Sequence, residues 1–187
     1  SKYPDILSHV EDINLWPTQE MAIGQALNII ENQGSVLIAD PTGSGKTKLV
    51  TSILLALINR RWSIGRGYRT NSLTICPPAV IDNWSQEYER LHFSQQNPLS
   101  NGILSYENSK KHEAALTKIR NGNILVVDEA HNYLSRHSNR SHSIENSLAD
   151  CIMLVTATPI NKKAEDLLRL VELLDIDNLN DNELQQY

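Results

Sequence analysis

Four short apolar runs constrain this chain more than any other feature. They are Val36-Leu37-Ile38-Ala39, Leu73-Thr74-Ile75-Cys76, Ile124-Leu125-Val126-Val127 and Ile152-Met153-Leu154-Val155. A strand with one wet face alternates polar and apolar residues; these runs do not, so each must be buried on both faces. Segments with helical periodicity separate them. Thr18 to Gln33 carries apolar Met21, Ala22, Ala26, Leu27, Ile29 and Ile30, with Thr18 as the expected cap and Gly34 as the stop. Further helices are expected from about Lys46 to Arg61, Ala79 to Phe93, Ser109 to Arg120 and Lys162 to Leu174. The last of these is expected to present Leu167, Leu168, Leu170, Val171 and Leu174 on its apolar side. One more strand is expected at Gly102 to Tyr106. This alternation predicts an α/β fold: a mostly parallel central sheet with helices on both faces.

Composition narrows the class. With 187 residues, the chain suits one domain, read here as residues 1–174, followed by a polar Asp- and Asn-rich stretch at 175–187 that reads as the start of a linker. Hydrophobic residues at 40% exclude wholesale disorder. A net charge of −5 supplies no global positive field, so any nucleic-acid contact must rest on local patches. Cys76 and Cys151 end apolar runs and form no disulfide framework; they read as buried thiols of a reducing compartment. No apolar run approaches the ~18 residues of a membrane span, and Ser1-Lys2-Tyr3-Pro4 does not read as a signal peptide. The expectation is an intracellular protein, cytoplasmic or nuclear, with no membrane partner.

Two segments carry chemistry. Asp40-Pro41-Thr42-Gly43-Ser44-Gly45-Lys46-Thr47 follows a strand and opens a helix, the context that gives a phosphate loop its meaning. Gly43 and Gly45 let the backbone around Thr42 and Ser44 curl until successive N–H groups point at phosphate oxygens, with the helix N-terminus adding positive charge. Lys46 would reach the β- and γ-phosphates, and Thr47 would offer its hydroxyl to Mg²⁺. The general pattern has glycine six residues before the lysine; here Asp40 stands there. The second segment, Ile124 to His131, delivers Asp128 and Glu129 at the C-terminal end of a buried strand, where open α/β sheets bind ligands. Asp128 would hold Mg²⁺, and Glu129 would orient and deprotonate the water that attacks the γ-phosphate.

With these residues the sequence resembles the superfamily-two helicases and translocases. Asp128-Glu129-Ala130-His131 is the spelling of their motif II. Leu15-Trp16-Pro17-Thr18-Gln19 is similar to the glutamine motif, Ala39 to Thr47 to motif I, and Ile75 to Trp84 to motif Ia. Ser105-Tyr106-Glu107 is similar to the segment near motif Ib, and Thr156-Ala157-Thr158-Pro159-Ile160-Asn161 to motif III. Asp40, Asn83-Trp84 with Glu87, and the Leu-rich helix after Ile160-Asn161 bring it nearest to the Swi/Snf-type DNA translocases. Pro41-Thr42-Gly43-Ser44, Ala157 and Trp16 depart from that branch's usual spelling.

The resemblance implies a RecA-like P-loop NTPase lobe that binds ATP and Mg²⁺. It implies that Gln19 reads adenine and that the motif III strand lies between those of motifs I and II. Thr156 and Thr158 would sense the γ-phosphate and couple it, with His131, to the nucleic-acid path; a hydroxyl cap on the following helix is the other reading of that pair. Pro78 and Ala79 would face the nucleic-acid backbone. It further implies duplex DNA as partner and a second RecA-like lobe carrying arginine fingers, since nothing after Asn161 resembles motifs IV to VI. An RNA or single-strand helicase lobe, or a nucleotide-gated protein-interaction module without turnover, are the competing readings.

Weaker features remain open. Arg60, Arg61, Arg66 and Arg69 lie in a stretch without acids, and Arg136, His137, Arg140 and His142 in a Ser-rich stretch after motif II. Each fits phosphate contact or a solvated loop. Trp84, at helical spacing from Tyr88 and Leu91, reads as core packing.

Overall fold

The computed structural model describes residues 15–41, 43, 45–65, 67, 70–91, 97–105, 109–158 and 163–174. Its strands are β1 (Val36–Ala39), β2 (Ser72–Cys76), β3 (Leu99–Ser100), β4 (Ile124–Val127) and β5 (Cys151–Thr156). Its helices are α1 (Pro17–Gln33), α2 (Lys46–Ser63), α3 (Ile81–Arg90), α4 (Lys110–Asn121), α5 (Asn139–Glu145) and α6 (Glu165–Leu174). The five strands form one parallel sheet in the order β1-β5-β4-β2-β3.

The four apolar runs are four of these strands, and they are buried as their composition demands. All four residues of β4 are 0% exposed. Period-two geometry sends Ile124 and Val126, with Met153 and Val155 of β5, to the face covered by α1, α2 and α3. Leu125 and Val127, with Ile152 and Leu154, pack on the other face with Ile119, Tyr133, Ile144, Leu170 and Leu173. The result is the three-layer α/β arrangement expected. Cys76 and Cys151 are buried free thiols, and burial pushes both up to about 12.

Local expectations need four corrections. First, α1 starts at Pro17, not behind a Thr18 cap; the Trp16 N–H is instead satisfied by Gln19 Oε1 at 3.0 Å. Second, Gly102 to Ser105 is no strand. The pairing residues are Leu99 and Ser100, and Asn101–Ser105 is a 3₁₀ turn; Tyr106 lies outside the described residues. Third, the Ser-rich stretch after motif II contains α5, because Ser138 caps it by accepting the Ser141 N–H at 3.2 Å. Fourth, α6 buries Arg169, Leu170 and Leu173, while Leu167 is 36% exposed. The Arg169 guanidinium reaches Glu145 and Glu172, which lets a charged side chain occupy the buried side.

No helix among the described residues is long and apolar enough to cross a membrane.

Candidate functional site

Because every strand runs the same way, the segments that leave their C-terminal ends share one edge of the sheet. The loop from Asp40 leaves β1, Pro77 to Val80 leave β2, Asp128 and Glu129 leave β4, and Ala157 and Thr158 leave β5. β5 lies between β1 and β4, as expected of the strand that carries motif III. Thr156, the last residue of β5 and fully buried, therefore separates the loop from the acidic pair. Its carbonyl accepts the Asp40 N–H at 3.2 Å, extending the β1–β5 ladder into the loop.

Gly43 (φ 85°) and Gly45 (φ 80°) are both left-handed, the conformation that favours glycine. Asp40 is not among the described residues with positive φ, so the first position of the motif needs no glycine here. α2 begins at Lys46, whose Nζ donates to the carbonyls of Asp40 and Pro41, each at 3.0 Å. Gln19 is buried against this loop; a Cβ on Gly45 would lie 3.1 Å from its Nε2. A cavity of about 390 Å³ opens between α1 and β1, with Trp16, Gln19, Ala39 and Asp40 in its lining. Thr42 and Ser44 lie outside the described residues.

Hydrogen bonds tie the acidic pair to its surroundings. The Asp128 N–H donates to Ile75 O at 2.8 Å, fixing the end of β4 on β2. Asp128 Oδ1 accepts the Glu129 N–H at 2.8 Å, and Oδ2 accepts Trp84 Nε1–H at 2.9 Å. Glu129 itself is left-handed (φ 50°, ψ 52°), the one non-glycine with positive φ among the described residues. From there Glu129 Oε2 lies 3.2 Å from His131 Nδ1, which lies 3.4 Å from Thr156 Oγ1. Thr156 Oγ1 in turn accepts the Thr158 N–H at 3.2 Å. Glu129, His131, Thr156 and Thr158 thus form one polar chain across two adjacent strand ends.

The basic candidates disperse. Pro78 and Ala79 are exposed on the same edge, in a 3₁₀ turn. Arg136 pairs with Glu172 of α6, and Arg140 Nε donates to Ser105 Oγ at 2.8 Å. Arg60 pairs with Glu31, and Arg61 lies 3.6 Å from Asp150, so acids distant in sequence serve both. Arg66 and Arg69 lie outside the described residues. Sequence reasoning missed the polar role of Trp84; helical spacing marks its ring for the core but says nothing of where its N–H goes.

Comparison with known proteins shows what the chain is similar to. Residues 100–186 match the family model described as the SNF2-related domain. Over that stretch, just under half of its length, the chain is similar to this domain. The matched stretch of this Snf2-type lobe holds Asp128 to His131 and Thr156 to Thr158, while the Lys46 loop lies before it. Pairwise matches reach further. The chain is 28% identical to the zebrafish (Danio rerio) chromodomain-helicase-DNA-binding protein 1-like over 87% of its length. It is 24% identical to the Saccharomyces cerevisiae ATP-dependent helicase FUN30 over 91%. Both spans are too long to leave out residues 40–47. The Snf2-type lobe spans 17% and 16% of those two proteins. Among solved structures, the Sulfolobus solfataricus SWI2/SNF2 ATPase core in complex with dsDNA matches with a TM-score of 0.65 at 20% identity. That match covers 87% of the lobe and 36% of the solved chain, and it confirms the α/β RecA-like fold.

Proposed function

We propose that this lobe binds ATP with Mg²⁺ and, joined to a second RecA-like lobe, drives an ATP-dependent translocase on duplex DNA. The polar chain from Glu129 through His131 to Thr156, beside the Lys46 loop, carries the reading. It gives a carboxylate able to take a proton from water and a route from that carboxylate to the neighbouring strand. In this reading the lobe is residues 1–174, and 175–187 lead toward the second lobe. Gln19 reads the base at the cavity beside Trp16. The N–H groups around Thr42, Gly43, Ser44 and Gly45 cradle phosphates, and Lys46 exchanges its two carbonyl partners for phosphate oxygens.

The residues present fit Mg²⁺. Thr47 and Asp128 offer hard oxygen donors, and Asp128 is held in one orientation by two hydrogen bonds. No group of three or more His, Cys, Asp or Glu among the described residues could hold a metal alone. That suits an ion which keeps its waters and shares the nucleotide's phosphates. When bound, it neutralises charge on the β- and γ-phosphates. Glu129 orients and deprotonates the attacking water, and Thr156 and Thr158 report the γ-phosphate to His131. Pro78, Ala79, Arg66, Arg69, Arg136 and Arg140 are the proposed nucleic-acid contacts. Duplex DNA as partner is supported by the solved SWI2/SNF2 core, described as a complex with dsDNA.

The test is ATP hydrolysis by the full-length protein with duplex DNA, single-stranded DNA and RNA. Duplex DNA is expected to stimulate most, and Glu129→Gln to lower the rate about 10²–10⁴-fold. Stimulation by RNA alone would replace the translocase reading with a helicase one, and an unchanged rate in Glu129→Gln would end the hydrolysis assignment.

A further inference from the structure

Trp84 is buried to 1% exposure, and packing accounts for its ring. Packing does not account for its N–H. Nε1 reaches across 44 residues of sequence to donate to Asp128 Oδ2 at 2.9 Å, in a buried environment. The other carboxylate oxygen accepts the Glu129 N–H, so Asp128 is gripped at both oxygens. The indole that grips it is itself immobilised. Its ring lies against Tyr88, with centroids 6.0 Å apart, and the Tyr88 hydroxyl is hydrogen-bonded to Thr74 on β2. An apolar ring would meet the packing requirement of this site without supplying a donor. Tryptophan adds a donor-only N–H, which bonds to the Asp128 carboxylate and to nothing else among the described residues.

The geometry points to Trp84 as a positioning residue for Asp128. It fixes the carboxylate rotamer, so that a Mg²⁺–nucleotide meets one prepared orientation instead of selecting it on binding. Partners of this kind that orient a metal's ligand typically change metal affinity about 10–100-fold when removed. The role rests on the reading of Asp128 as the Mg²⁺ carboxylate.

The experiment titrates ADP into the full-length protein with Mg²⁺ and, separately, with EDTA. The dissociation constant in EDTA divided by that in Mg²⁺ isolates the contribution of the metal. Trp84→Phe is expected to lower that ratio about 10-fold or more and to leave the EDTA constant within about twofold. Site-specific replacement of Trp84 by benzothienylalanine, which carries sulfur in place of the N–H, keeps the packing and is expected to give the same loss. This second variant decides the matter where Trp84→Phe folds poorly. In an Asp128→Asn background, changing Trp84 is expected to leave the ratio where Asp128→Asn alone puts it. A folded benzothienylalanine protein with the wild-type ratio overturns the positioning role. A wild-type protein whose ADP affinity ignores Mg²⁺, or keeps its Mg²⁺ dependence in Asp128→Asn, overturns instead the reading of Asp128 and this role with it.

Discussion

Glu129 is where local stability and chemistry disagree. A left-handed backbone costs an ordinary side chain about 1–2 kcal/mol, and asparagine tolerates it better than glutamate. The contact from Glu129 to His131 is about one-third exposed on both sides and returns little of that cost. Glu129→Asn is therefore expected to raise stability by roughly 0.5–1 kcal/mol, about 1–4 °C in Tm at this size, while abolishing ATP hydrolysis. Thermal unfolding checks it, and a lowered Tm would show that the conformation carries no strain. Thr156 makes a second case. Its hydroxyl faces His131 and accepts the Thr158 N–H, so Thr156→Val keeps the shape and severs both links. The expected outcome is near-normal nucleotide affinity with weakened stimulation by DNA, read by comparing basal and stimulated ATPase rates. The placement of these residues is legible in the sequence, because Asp128-Glu129-Ala130-His131 follows an apolar run that becomes a buried strand. The grip on Asp128 is not legible, since no spacing rule connects Trp84 to a residue on another strand.

Elements follow the sequence where one signal dominates and depart from it where two compete. β4 throughout, and β5 up to Thr156, are apolar, and both come out as buried strands. At 101–105 the apolar pair Ile103-Leu104 suggests a strand, yet a 3₁₀ turn buries Leu104 just as well and β2 finds its partner in Leu99 and Ser100. In α6 the leucines are so frequent that several faces look apolar, and tertiary contact chooses Leu170 and Leu173. A direct comparison follows from that choice. Leu170→Ala is expected to cost about 2–5 kcal/mol, and Leu167→Ala no more than about 0.5. Urea unfolding of the two variants measures both, and equal losses would contradict the packing of this helix. The basic stretches were ambiguous for a related reason. Glu31, Asp150 and Glu172 lie far from their arginines in sequence, so a local reading could not find the pairs.

At the scale of the molecule, strand order governs everything else. β5 separates the Lys46 loop from the acidic pair, and that placement brings three stretches of sequence to one edge of the sheet. The same order leaves β1 with β5 as its only ladder partner among the described residues. The outer backbone of Val36–Ala39 is thus a row of donors and acceptors beside a partly apolar groove. Rows of this kind recruit strands from other molecules. Solutions of the lobe alone are expected to self-associate as concentration rises, which light scattering would detect. Lysine substituted for Leu37, which is half-buried, should suppress it. The strand that leads into the Lys46 loop is then also the seam along which the isolated lobe is expected to join its own copies. How well this protein keeps in a tube is then expected to depend on the same four residues that lead into the Lys46 loop.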